Sequence, residues 1–158
     1  MKGSRSVVTG GAGFIGSNLV DHLVRIDHKV IVLDNFVSGK KANLAHHKKK
    51  DVKIIRVDIS KSKNLDKYFK KVDYVFHLAG LAEIIPSIKN PKKYFNTNVL
   101  GTLKVVEAAK RAGVKKLIYA ASSSCYGSPK NLPTSEKEKI DIKHPYGLTK
   151  FLGEQLVL

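Results

Sequence analysis

A glycine-rich turn placed directly after a short apolar run constrains this chain most. Ser6-Val7-Val8-Thr9 reads as a strand, and Gly10, Gly13 and Gly16 follow at three-residue intervals. They open a helical pattern that runs from Gly13 to Ile26. A strand that turns through glycines into a helix collects unpaired amides and the positive end of the helix dipole in one place. Glycine permits the tight turn and lets the main chain come close to a pyrophosphate. The spacing is G-x-x-G-x-x-G, and no Gly-Lys-Ser/Thr follows, which counts against a triphosphate-binding P-loop. The competing explanation is a plain glycine turn.

The remainder of the chain repeats the same strand–helix unit. Apolar, β-branched runs at Ser6–Thr9, Val30–Asp34, Val52–Val57, Tyr74–Leu78 and Lys116–Ala121 predict five strands. Helical patterns lie between them at Gly13–Ile26, Lys40–Lys48, Lys61–Lys70 and Pro91–Ala112. In the last of these, Phe95, Val99, Leu103 and Val106 form the expected apolar stripe. Pro91 suits its first turn and Gly113 its C-terminal cap. Such alternation predicts an α/β fold, a Rossmann-like doubly wound parallel sheet with helices on both faces. From Ser128 to His144 periodicity fades, and the chain then enters a helix beginning near Tyr146 that is still running at Leu158. Residues 1–158 therefore read as one dinucleotide-binding domain, cut off at its C-terminal end.

Composition narrows the class without naming a task. With 158 residues, 42% hydrophobic and 27% charged, the chain can bury one sizeable core. No apolar run is long enough to span a membrane, and the N-terminus lacks a signal-peptide pattern. A single cysteine, Cys125, allows no internal disulfide and fits a reducing cytoplasm. Net charge is +16, carried by 25 lysines against 4 arginines. The lysines are scattered over predicted helix surfaces, with one tight run at Lys48–Lys50. A nucleic-acid binder would show arginine, interleaved aromatics or a binding motif, so no specific nucleic-acid partner is expected. The positive field suits an anionic nucleotide ligand. The histidines show no metal-ligand spacing, His46 and His47 read as solvated, and no metal is expected.

Asp34 ends the second strand, where a carboxylate can accept hydrogen bonds from an adenosine ribose and repel a 2′-phosphate. That favours NAD over NADP as cofactor. Asp58 and Ile59 end the third strand, where they can border an adenine or simply open the following helix. His77-Leu78-Ala79-Gly80 ends the fourth, with small residues that let a cofactor lie against the backbone. His77 itself reads as structural.

A candidate catalytic pair lies further on. Tyr146 and Lys150 are one helical turn apart on one face. A phenol titrates near pH 10, too high for a base at neutral pH. An ammonium one turn on, with a cationic nicotinamide ring, would stabilise its phenolate. The cluster Ser122-Ser123-Ser124-Cys125-Tyr126-Gly127 follows the fifth strand, beyond the carboxyl ends of the strands where open α/β sheets bind ligands. A serine hydroxyl there can orient the reacting alcohol, and chemistry alone does not choose which. Cys125 reads as packing.

Taken together, these residues resemble the extended short-chain dehydrogenase/reductases, within them the NAD-dependent nucleotide-sugar epimerase/dehydratase family. The resemblance spans essentially the whole chain. It rests on Thr9 to Gly16, Leu33-Asp34-Asn35, Asp58, His77 to Gly80, Asn96-x-Asn98-Val99-x-Gly101-Thr102, Ser122 to Gly127 and Tyr146-x-x-x-Lys150. It implies that Ser122, Tyr146 and Lys150 are catalytic. It implies that Gly10, Gly13, Phe14, Ile15, Gly16, Asp34, Asn35, Asp58, Ile59, Leu78, Ala79, Gly80, Asn98, Tyr146 and Lys150 hold NAD. The family's sugar dehydratases carry Asp-Glu in the two positions after the catalytic hydroxyl, and its nucleotide-sugar decarboxylases a glutamate in the second. Here Ser123 and Ser124 stand there, which brings the chain closest to the UDP-sugar 4-epimerases. Ala82 departs from those enzymes, which often carry a lysine at this position.

The implied reaction is epimerisation of a nucleotide sugar, UDP-linked, through transient oxidation at C4. The family's substrate domain follows the Tyr/Lys helix, so the 158 residues alone are expected to turn over little substrate. Family members dimerise through the two long helices after the fourth and fifth strands, which implies a homodimer for the full-length protein. Two alternatives remain, another dehydratase or reductase of the family and a non-catalytic NAD-binding regulatory module.

Overall fold

The computed structural model describes residues 3–129 and 132–158. The part of the aperiodic stretch at Lys130 and Asn131 lies outside them. Five parallel strands, β1 (Arg5–Thr9), β2 (Lys29–Asp34), β3 (Val52–Arg56), β4 (Tyr74–His77) and β5 (Lys116–Tyr119), form one sheet in the order β3-β2-β1-β4-β5. The order reverses between β1 and β4, where β1 pairs with β2 on one side and β4 on the other. Loops leaving the carboxyl ends of these two strands diverge to opposite sides, opening a crevice there.

Period-two alternation along β1 builds two cores. Val7 points to one face, where Leu33 and Val75 join Ile59, Phe69, Val105 and Ala109. Val8 points to the other, where Val30 and Val32 join Val20, Leu23, Leu44 and Val52. The first face is covered by α2 (Asp66–Phe69) and α5 (Gly101–Ala112), the second by α1 (Phe14–Arg25) and a 3-10 turn at Lys41–Leu44. β1 is buried on both sides, and this is why its sequence is a continuous apolar run rather than an alternating one.

The helical pattern expected at Lys61–Lys70 shrinks to the four residues of α2, and that at Lys40–Lys48 to the 3-10 turn. One further helix, α3 (Ile84–Lys89), lies where none was expected, with Pro86 in its first turn. The helix expected from Pro91 to Ala112 is divided. α4 (Pro91–Phe95) and α5 are joined through a widened π-turn at Asn96–Leu100. Gly113 closes α5 in the left-handed conformation, φ 64°. The expected stripe holds only in part, with Val99 buried and Leu103 and Val106 half-buried. Tyr94, Asn98, Thr102, Val105 and Ala109 point inward, whereas Phe95 is 42% exposed. The inward face is polar in its first half, where Asn98 bonds the Leu81 backbone and Thr102 meets the buried His77 ring.

One further expectation changes. The His46–His47 pair is not simply solvated, since the side chain of His47 is only 8% exposed and both rings reach Asp21. Cys125 is buried, as a packing residue would be, and burial pushes its thiol pKa up. Among the described residues no helix is long and apolar enough to cross a membrane.

Phe69 is fully buried between α2 and the sheet, whereas Ile54 on edge strand β3 is 40% exposed. Phe69→Ala is expected to cost about 3–5 kcal/mol in urea unfolding and Ile54→Ala under about 1.5 kcal/mol. Equal losses would contradict the two-faced core described here.

Candidate active site

The turn after β1 lies against the start of the loop after β4. Gly10 has φ 69°, and a Cβ placed on it would meet the Ala79 amide nitrogen at 2.7 Å. Helix α1 then begins at Gly13 with no side-chain cap and no acid in its first turn. Its N-terminus therefore offers amides and a positive dipole to a ligand. A cavity of about 320 Å³ opens there. Its walls are Gly10, Gly13, Phe14, Ile15 and Gly16 from the glycine turn, Asp34 and Asn35 after β2, Asp58 and Ile59 after β3, and Leu78, Ala79 and Gly80 after β4. Twelve of the fifteen expected cofactor residues thus line one space. Val37, Ser38, Thr97 and Ala120 also line it. Nothing in their residue types singled them out, since the loops that bring them there are set by the fold.

Asp34 is braced rather than free. Oδ2 accepts from the Ala12 amide at 2.9 Å and Oδ1 from the Phe36 amide at 2.8 Å. A carboxylate has about four acceptor sites, so capacity remains toward the cavity. Asp58 makes two kinds of contact. It lines the cavity, and Oδ1 caps the following turn by accepting from the Ser60 amide and hydroxyl. Burial raises its carboxyl pKa, but the bonds from Ser60 and Asn35 outweigh this and hold it below the usual range.

Asn98, Tyr146 and Lys150 do not line the cavity. Asn98 is buried in the π-turn, and its amide is fully engaged. Oδ1 accepts from the Leu81 amide at 2.8 Å, while Nδ2 donates to the Leu81 carbonyl at 3.0 Å and the Thr149 hydroxyl at 3.1 Å. It ties the chain after β4 to α6 (Pro145–Val157), the helix that carries the tyrosine and lysine.

Several contacts aim that helix. His144 caps it, its Nδ1 accepting from the Gly147 amide, and its ring stacks parallel to Tyr146. The Tyr146 amide donates to Oγ of buried Ser87, which lies in α3. Ser87 carried no sequence signal because α3 is short and was not expected. The Tyr146 hydroxyl then reaches Ser122 Oγ at 3.2 Å. Ser122 also accepts from the Ser124 amide, which holds its side chain at the start of the 3-10 turn Ser123–Tyr126. Of the three serines, Ser122 is the one that meets the tyrosine hydroxyl.

Lys150 is buried, and its ammonium donates to the Ala120 carbonyl and sits 4.1 Å above the Tyr119 ring. Desolvation pushes its pKa down to about 8, opposed by the charge of Glu154. Its carbonyl partner, Ala120, lines the cavity, so the lysine stands at the junction of cavity and catalytic pair.

Beneath this junction His77 is fully buried between two threonines. Thr102 donates its hydroxyl to the Asn98 carbonyl at 2.6 Å, so it can only accept from His77 Nε2, 2.9 Å away. The proton therefore sits on Nε2, and Nδ1 accepts from Thr9 at 2.6 Å. Thr9 Oγ1 in turn accepts from the Ala79 amide at 3.2 Å. This is the structural role expected of His77, and it also links β1, β4 and α5 through one neutral ring.

An open parallel sheet with a glycine turn at its switch point, facing a tyrosine–serine pair, defines a dinucleotide-binding α/β protein with the groups for alcohol chemistry. The sequence profile of the NAD dependent epimerase/dehydratase family matches residues 6–158, and the chain belongs to that family. It is 38% identical to a putative UDP-glucose 4-epimerase of Methanocaldococcus jannaschii over 96% of its own length and 49% of that protein. Among solved structures it is similar to a UDP-N-acetylglucosamine 4-epimerase from Methanobrevibacter ruminantium in complex with UDP-N-acetylmuramic acid. The TM-score is 0.92 and the identity 41%, over 98% of this chain and 49% of that one. The Bordetella bronchiseptica enzyme WbmG, solved with NAD, superposes with TM-score 0.89 at 30% identity, over 99% of this chain and 49% of that one. The chain spans about half the length of the relatives it matches.

Burial pushes the pKa of His77 down to about 3, with the Lys150 charge adding to the effect. An unfolded imidazole titrates near 6.5. The unfolded state therefore binds one more proton between these values, and stability falls as pH drops from 6.5 toward 3 by up to about 1.4 kcal/mol per pH unit. His28, also depressed by burial, adds a slope of the same sign. His77→Gln is expected to remove one proton's share, so wild-type and variant stabilities should converge as pH falls from 6.5 to 5. A pH-independent difference would contradict the neutral buried ring.

Proposed function

We propose that the chain binds NAD and supplies the cofactor site and catalytic groups of a nucleotide-sugar 4-epimerase. The observation that carries this is the Tyr146–Ser122 hydroxyl pair, placed beside a cavity whose walls hold nearly every residue expected to touch the cofactor. The cavity fits the group. The uncapped N-terminus of α1 suits a pyrophosphate, and a Cβ on Gly13 would crowd the Gly10 carbonyl oxygen at 3.3 Å, so glycine suits the turn that faces the cavity. Asp34 suits an adenosine ribose and disfavours a 2′-phosphate.

NAD, when bound, supplies a reversible hydride acceptor. Tyr146 takes the proton from the sugar 4-hydroxyl and returns it later. Ser122 holds the same oxygen, orienting it toward the phenol. Lys150, held by the Ala120 carbonyl at the cavity wall, places a positive charge behind the site and would hold the cofactor ribose when NAD is bound. Hydride returned to the opposite face of a 4-keto sugar gives the epimer. Ser123 and Ser124 supply no carboxyl group for removing water, which favours epimerisation over dehydration.

Two of the similar proteins named above carry the names of UDP-sugar 4-epimerases, and this supports a UDP-linked substrate here. Because the match covers about half of each relative, the 158 residues alone are expected to bind NAD yet convert little UDP sugar. Phe95, Leu100 and Leu148, each at least 40% exposed near the two helices that pair in family dimers, support a homodimer for the longer protein. The single buried thiol supports a cytoplasmic site of action.

Calorimetric titration of the chain should show NAD binding, weaker NADP binding, and at least about tenfold loss for Gly13→Val, whose side chain would fill the pyrophosphate space. Wild-type affinity in that variant would sink the assignment of the cavity. In a longer natural chain containing these residues, Tyr146→Phe is expected to lower interconversion of UDP-glucose and UDP-galactose about 10²–10⁴-fold with NAD affinity retained. A product lighter by one water would move the assignment to dehydration.

A further inference from the structure

We propose that Asp21, His46 and His47 form a binding site for a divalent transition-metal ion of the zinc, nickel or copper class. None of the three lines the cofactor cavity, and the proposal stands apart from the epimerase assignment.

Neighbouring side chains in a regular helix or strand diverge. His46 and His47 converge because the chain turns just before them. Ala45 donates to the Ala42 carbonyl and His47 to the Leu44 carbonyl, each at 3.2 Å. Leu44, only 1% exposed, anchors this turn in the core beside Val20 and Leu23 of α1. The two imidazoles end with centroids 4.1 Å apart, and their Nε2 atoms lie 2.9 and 2.7 Å from the same oxygen, Oδ1 of Asp21 on α1. One donor atom from each residue falls within 4.8 Å of the others.

The donor set selects the metal. Two imidazole nitrogens and one carboxylate oxygen suit zinc, nickel and copper, whereas calcium and magnesium require more oxygens. Tetrahedral zinc with ligands at about 2.0–2.1 Å sets donor atoms about 3.4 Å apart. The present spacings are shorter because two N–H groups share one oxygen. An ion would replace those bonds and spread the donors by roughly half an ångström, with water as a fourth ligand. The side chains of Asp21 and His46 are 38% and 58% exposed, so they have room for this movement and the ion has a path in.

Such an ion would clamp the 3-10 turn to α1. The start of the same segment already docks on the glycine turn, where the Lys40 amide and the Asn43 side chain both donate to the Ala12 carbonyl, at 3.0 and 2.9 Å. Metal binding would thus brace the segment that follows the cavity-lining residues Val37 and Ser38, and raise thermal stability by linkage.

The test uses untagged protein titrated with Zn²⁺ by calorimetry and with Co²⁺ by visible absorption. One equivalent should bind, the Co²⁺ complex should show d–d bands, and Mg²⁺ should give no heat. Each of Asp21→Asn, His46→Ala and His47→Ala should weaken Zn²⁺ binding at least about tenfold, the loss that follows even from disturbing a ligand's supporting partner. His22→Ala and Cys125→Ser should bind as wild type does. Far-UV circular dichroism checks each fold, and if His47→Ala does not fold, the two more exposed positions decide. Failure of the wild type to bind Zn²⁺, or unchanged affinity in Asp21→Asn and His46→Ala, would overturn the proposal.

Discussion

One buried imidazole, clasped between two threonine hydroxyls, holds together the end of the molecule where the chemistry is placed. His77 lies at the carboxyl end of β4, Thr9 at that of β1 and Thr102 in the first turn of α5. Each hydroxyl both donates and accepts, so the chain of bonds from the Ala79 amide to the Asn98 carbonyl has one consistent direction. Water is excluded, and an unpaired group there would cost a full desolvation penalty. The network therefore sets the distance between β1, β4 and α5, and with it the width of the crevice above.

That crevice divides into two parts with different construction. The cavity is made of backbone and small residues at strand ends, where glycine allows close approach. The candidate catalytic residues Tyr146 and Lys150 are side chains on a helix, aimed by contacts from three directions. Asn98 holds α6 from the π-turn, Ser87 takes the Tyr146 amide, and Ala120 takes the Lys150 ammonium. The widened turn at Asn96–Leu100 serves this by placing an asparagine amide where two loops meet. Burial lowers the Lys150 pKa to about 8, opposed by the charge of Glu154.

The lysine-rich surface has little part in the fold. Its ion pairs, such as Lys29 with Asp51 and Lys115 with Asp73, are exposed and contribute little individually. Taken together the excess charge makes a positive field that favours approach of anionic ligands.

The order of strands and helices, the glycine turn and the Tyr146–Lys150 pair were legible in the amino-acid sequence, because each is a local pattern with a period or a fixed spacing. β1 to β5 fall within two residues of their expected limits. The serine choice was legible only through family resemblance, since chemistry treats Ser122, Ser123 and Ser124 alike. The roles of Ser87, Thr9 and Thr102 were not legible. They are ordinary hydroxyl residues whose partners lie far along the chain, and only the packing of α3, β1 and α5 brings those partners near. The inward face of the helix from Pro91 was legible only in part, for a related reason. Val99 is buried as its spacing implies, but Asn98 and Thr102 turn inward to the Leu81 backbone and the His77 ring, partners far along the chain that no apolar stripe reveals. The meeting of Asp21 with His46 and His47 likewise needed the tertiary fold, because a turn in the chain rather than any regular spacing makes two adjacent rings converge. Local periodicity thus determined which elements form, and long-range packing decided which polar groups find one another.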